Sequence, residues 1–201
     1  MASHNYGYLT ASTIAPFLTG KGDSLLKGGE TAAIEIAKER PSLDGYVQPE
    51  EPWQGNDATE WGNQHENDAL IRYEEHTFST VTDKQKGVVD GWLSCTPDGY
   101  VCEDGLCEVK CPYATKNHMG YLLDPDSLRD AYYDQCQFQL MLTGRDWCDL
   151  VSYDPRWKEP LDIVIVRIEP DIEWQDRTRE RIRQAEVIIT ETIDKLINNG
   201  R

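Results

Sequence analysis

"CTPDGYVCEDGLCEVKCP", residues 95–112, holds a Pro-Asp-Gly turn, an Asp-Gly turn and a Glu-Val-Lys triplet. Asp104-Gly105 between two short runs of Val, Leu, Tyr and Cys is a hairpin signal and predicts two adjacent antiparallel strands. Side chains alternate along a strand, so Glu108 and Lys110 fall on one face and Val109 on the other. Asp98, at the start of the partner strand, is then placed to meet both.

Two carboxylates and a lysine at one end of a hairpin suit a divalent cation beside a substrate anion. Asp98 and Glu108 offer hard oxygen ligands, the Val109 carbonyl a further one, and Mg2+ is the expected ion. Lys110 can orient or deprotonate a water, or stabilise negative charge on a phosphate. The competing reading is a solvated hairpin with an exposed ion pair worth little. Glu66 on a preceding helix and Gln135 on a following one shift the balance, since each could complete a metal and water site. Gln135 and Gln139 share a helix face with Tyr132. His65 points away from Glu66 and reads as a packing or surface histidine; His118, read as lying in the loop after the hairpin, stays open.

The surrounding pattern is a mixed sheet flanked by helices, an α/β or α+β fold. Thr10 or Ser12 can cap a short helix towards Leu18, and an Ala-rich helix follows near 29–39. Residues 41–57 have irregular composition, and Trp61, Ala69, Leu70 and Tyr73 recur at helical spacing over about 58–75. Two strands broken near "DKQKG" fit 77–94. The helix over 127–144 stops at Gly144, strands fit "WCDLVSYD" and "LDIVIVRIE", and a long helix carries Ile182, Ala185, Ile189, Ile193 and Leu196 along one stripe. We read 1–201 as one domain: a helical elaboration over 1–57, a core over about 58–170 and a terminal helix over about 171–198.

At 201 residues and 39% hydrophobic content the chain can bury one sizeable core. With no long apolar run and no basic-then-apolar leader, a soluble intracellular protein without membrane association is expected. The six cysteines form no Cys-x2-Cys pair and read as reduced, buried thiols. The net charge of −16 argues against nucleic acid at first sight. The acid is uneven, however: residues 41–75 hold nine Asp or Glu against one Arg, whereas 1–40 hold four against four. A local basic groove is compatible with that distribution.

"TPDG" at 96–99, "EVKCP" at 108–112 and "AYYDQCQF" at 131–138 together resemble the phage lambda exonuclease family of viral recombinase nucleases, within the PD-(D/E)xK superfamily. "LTAS" at 9–12, "WGNQHENDA" at 61–69 and "YDPRWK" at 153–158 extend the resemblance in order along the chain. It implies that Asp98 and Glu108 bind metal, that Lys110 is catalytic, and that Glu66 and Gln135 support them. Ser12 and Thr96 stand where the family has serines that bind a terminal 5′ phosphate. The family arginine seven residues before the first of these is replaced by Asn5, and Lys21 or Lys27 could compensate.

The resemblance further implies a 5′-to-3′ exonuclease on linear duplex DNA, dependent on Mg2+ with Mn2+ as a substitute and two ions per site. It would leave 3′ overhangs for a single-strand annealing protein, act as a ring-shaped homotrimer and work in the cytoplasm of a bacterial host. An endonuclease or junction resolvase would use the same Asp98, Glu108 and Lys110. A non-enzymatic acidic DNA mimic would match the charge but has no use for a lysine among the carboxylates.

Overall fold

A computed structural model describes residues 7–18, 22–40, 43 and 55–199. They form two compact units. The first takes its described residues from within 1–51, 88–95 and 171–201, and the second from within 52–87 and 96–170.

In the second unit, a five-stranded sheet is ordered β2 (Val81–Thr82), β5 (Gly99–Val101), β6 (Gly105–Lys110), β7 (Trp147–Tyr153), β8 (Ile163–Ile168). Only the β6–β7 pair is parallel; the other pairs are antiparallel. The mixed sheet flanked by helices matches the expected fold class. The parallel pair requires a crossover, made by α4 (Thr115–Leu123) and α5 (Pro125–Thr143). Alternation along β6 separates two cores. Leu106 joins Leu128, Cys136 and Leu140 of α5, whereas Cys107 and Val109 join Ala69, Leu70 and Tyr73 of α3 (Asp57–Thr77). Glu108 and Lys110 share the parity of Leu106, so they are turned towards α5.

Local chemistry sets the ends of these helices. Asn56 Oδ1 accepts from the N–H groups of Ala58 and Thr59, both at 3.1 Å, and caps α3. Gly144 terminates α5 with φ 66°, as its sequence position predicts. The hairpin turn lies one step earlier than expected. Val101 pairs with Gly105 across a loop of Cys102, Glu103 and Asp104, and Cys102 takes the positive φ of 50°. Gly105 belongs to the strand, where any Cβ would overlap the Trp147 indole; close approach, not turn geometry, demands glycine there.

In the first unit, a three-stranded sheet is ordered β1 (Leu9–Thr10), β4 (Leu93–Cys95), β3 (Val88–Asp90), with helices α1 (Ala15–Leu18), α2 (Lys27–Lys38) and α6 (Ile172–Asn199). Thr10 and Ser12 therefore do not cap α1: Thr10 lies in a strand, and its hydroxyl bonds Ser12 Oγ at 3.1 Å and Thr13 Oγ1 at 2.9 Å. The region 77–94 holds three short strands: β2 joins the five-stranded sheet, and β3 and β4 pair in the other across the two-residue turn Gly91-Trp92. Along α6, Ile182, Ala185 and Ile189 are buried and Ile193 is half-buried. Leu196 is 52% exposed, so the apolar stripe ends before the helix does.

Candidate active site

Asp98, Glu108, Lys110, Glu66 and Gln135 all lie in the second unit. Asp98, Glu108, Val109 and Lys110 line one cavity of about 300 Å3 with Glu66 of α3 and Tyr132 of α5. The hairpin explains the first four. Asp98 leads into β5, and its Oδ2 accepts from the Val109 N–H at 2.7 Å, locking the carboxylate against the neighbouring strand. Glu66 precedes the buried Ala69 and Leu70 by three and four positions, which puts it on the same helical face as those core residues.

Glu108 is 3% exposed and well supplied with donors. Its Oε1 accepts from Lys110 Nζ at 2.7 Å and Gln135 Nε2 at 2.5 Å, and its Oε2 accepts from Gln139 Nε2 at 2.7 Å. Lys110 Nζ also donates to Gln135 Oε1 at 3.1 Å and lies 4.8 Å from the centre of the Tyr132 ring. The helical spacing of Tyr132, Gln135 and Gln139 thus delivers three partners to the Glu108–Lys110 pair.

Electrostatics divide the site. Burial, followed by the neighbouring Glu108 charge, pushes the Asp98 carboxyl well above the usual carboxylate range, against the opposing Val109 N–H bond. Burial works to lower the Lys110 ammonium, but Glu108 outweighs it and carries the pKa above its ordinary value. Lys110 is therefore a retained positive charge and donor.

These residues fit a divalent cation. The donors are hard oxygens, and Asp98 is a desolvated carboxyl beside a like charge, a situation that a cation relieves. Among the described residues no three His, Cys, Asp or Glu side chains form a ready ligand cluster. An ion would thus rest on Asp98 and Glu108, with the Val109 carbonyl and water or substrate oxygens completing its shell.

Gln85 joins the site without any sequence signal. Its Nε2 donates to Glu66 Oε1 at 2.6 Å and to Asp98 Oδ1 at 3.2 Å, joining two residues of the site. Gln85 lies in the turn read only as a strand break, and no periodicity marks it.

His118 is a correction. It lies in α4, not in a loop, and is fully buried: Nε2 donates to the Leu161 carbonyl at 2.9 Å, and Nδ1 is hydrogen-bonded with the Ser152 hydroxyl at 2.9 Å. His65 is a packing residue as expected, with its ring 4.2 Å from that of Trp61. All six cysteines are free; Cys102 is exposed and Cys111 half-buried, contrary to a uniformly buried set. Burial pushes the Cys111 thiol up to about 12.

Ser12 and Thr96 fall in separate units. Ser12 is exposed, Thr96 half-buried, and Lys27 opens α2 exposed to solvent. Asn5 and Lys21 lie outside the described residues.

Residues 5–146 match the sequence family described as the YqaJ-like viral recombinase domain. The chain belongs to that family. In fold it is similar to an alkaline exonuclease from Laribacter hongkongensis, with a TM-score of 0.78 and 26% identity over 98% of this chain and 94% of that one. The crystal structure of that exonuclease in complex with dAMP gives 0.77 and 27% over the same shares. A phage-related exonuclease from Haemophilus somnus 129PT gives 0.75 and 17% identity over 96% of each chain, a likeness of fold alone. No curated protein matches the chain. Among the described residues no helix is long and apolar enough to cross a membrane.

Proposed function

We propose that the chain is a single Mg2+-dependent exonuclease domain that digests linear duplex DNA from 5′ ends and leaves 3′ overhangs for a single-strand annealing protein. The observation that carries this reading is the convergence of Asp98, Glu108 and Lys110 in one cavity, with Glu66 and Gln135 beside them. The likeness to alkaline exonucleases supports exonuclease chemistry. A bound Mg2+, or Mn2+ in its place, supplies charge neutralisation and activates water, with two ions per site expected.

This chain's residues supply the rest. Asp98 and Glu108 anchor the cation, and Glu66, bridged to Asp98 by Gln85, adds negative charge beside them. Lys110, held in line by Glu108, Gln135 and Tyr132, presents its ammonium to the phosphate oxygens as charge develops in the transition state. Its raised pKa supports electrostatic stabilisation over removal of a proton from water. Gln135 and Gln139 keep Glu108 oriented. Ser12 and Thr96 serve as hydroxyl donors to the terminal 5′ phosphate. A ring-shaped homotrimer in the cytoplasm of a bacterial host, with its basic groups turned to a channel, reconciles the −16 charge with a DNA substrate.

An endonuclease built on the same site would attack closed circles, whereas an acidic DNA mimic would cleave nothing. The test is digestion of linear duplex labelled at either end, beside a covalently closed circle, in Mg2+ or chelator. Metal-dependent loss of the 5′ label first, with the circle intact, is expected. Cleavage of the circle or activity in chelator contradicts the proposal.

A further inference from the structure

We propose that Gln85 is a displaceable stand-in for the cation: its amide is bonded to Asp98 Oδ1, on the carboxylate that holds the ion, and to the neighbouring Glu66, and must release Asp98 when an ion binds, so that Gln85 sets the metal affinity of the site. This inference rests on the metal reading above and concerns a residue outside the motifs.

Three observations carry it. Both hydrogens of one amide nitrogen are committed, to Glu66 Oε1 at 2.6 Å and to Asp98 Oδ1 at 3.2 Å. A cation drawn to the Asp98 carboxylate competes with the amide NH2 for its Oδ1. The backbone aims the side chain: Gln85 has φ 58° and Asp83 φ 47°, two non-glycine residues in the left-handed region, and the Gln85 N–H reaches the Asp98 carbonyl at 3.4 Å. Such conformations persist where surrounding contacts enforce them, and they cluster at functional sites. Finally, Gln85 is exposed, unlike Gln139 on the other side of the site, so its amide can withdraw into water without leaving a buried donor unpaired.

The chemistry is that of a weak surrogate. A primary amide donates to two anionic oxygens as a cation attracts them, but with no net charge, so it moderates the Glu66–Asp98 repulsion only in part. The turn has its own anchors, Lys86 Nζ to Asp83 Oδ2 at 2.7 Å and Lys84 Nζ to Asn67 Oδ1 at 3.4 Å. The side chain can therefore swing away while the turn stays in place.

The test is calorimetric titration of MnCl2 into the full chain, parent and Gln85→Ala, with melting temperatures in chelator and in MnCl2. Removing one or two charge-assisted bonds from the metal-free state should tighten Mn2+ binding by roughly three- to tenfold. It should also enlarge the rise in melting temperature that Mn2+ produces. A residue that only tethers the turn would lower the metal-free melting temperature and leave the affinity unchanged, and a residue that helps hold the ion would weaken binding when removed; either result overturns the inference. If the parent protein binds no Mn2+ while it remains folded, the metal reading falls and this inference with it.

Discussion

Glu108 meets three donors from a strand and a helix and is almost fully buried, whereas Asp98 and Glu66 share one amide from an exposed turn. The two sides of the cavity differ in what they require. On the Glu108 side the ion pair and its glutamines are complete. On the Asp98 side burial and like charge disfavour ionisation, and the Val109 N–H and the Lys110 charge offset them only in part. For the proposed cation site, one wall is rigid and the other is only partly satisfied.

Substitutions should separate the walls. Glu108→Ala leaves Lys110 without its carboxylate and three donors without their acceptor, and should cost about 3–5 kcal/mol of unfolding free energy. Glu66→Ala, at the rim, should cost less than about 1 kcal/mol. Urea titration of both in chelator decides the matter, and equal losses would break the comparison.

The Asp98 wall should respond in the opposite direction. A carboxyl whose folded pKa is raised destabilises the native state once it is ionised. That penalty grows as pH rises through the folded pKa and is absent below the ordinary Asp value of about 3.9. Asp98→Asn should therefore raise the stability of the metal-free protein near neutral pH by about 1 kcal/mol and lose that advantage as the solution is acidified. Thermal unfolding across this pH range in chelator checks the sign; destabilisation at neutral pH would show that the Asp98 wall is as complete as the other.

The smallest effect is expected at the 5′ end. Hydroxyls give neutral hydrogen bonds where an arginine fork would give charge-assisted ones. Ser12→Ala should change the preference for 5′-phosphorylated over 5′-hydroxyl duplex by about two- to fivefold. A large preference untouched by that change, and by Lys27→Ala and Lys21→Ala, would place the phosphate on other residues.

The rigid wall was largely legible in the sequence. Period-two alternation put Glu108 and Lys110 on one face, and helical spacing aligned Tyr132, Gln135 and Gln139, so local geometry carried most of that information. The other wall was legible only in part. Asp98 and Glu66 could be named, but Gln85 reaches them from an irregular turn with two left-handed residues, and no residue pattern encodes such a contact. The same limit applies elsewhere. Strand β1 is two residues long and pairs with β4 far along the chain, and α4, with Gly120 in its middle, shows too little periodicity to reveal that His118 is buried.

In the proposed reaction, metal binding and charge stabilisation belong to different residues of one site, and that division can be tested. Its most direct test is nucleotide release from linear duplex by Lys110→Ala at a Mn2+ concentration that titration shows to be saturating. This variant, folded and loaded with Mn2+, should be slower than the parent by about two to three orders of magnitude. Turnover at the parental rate by the folded, metal-loaded variant would contradict it.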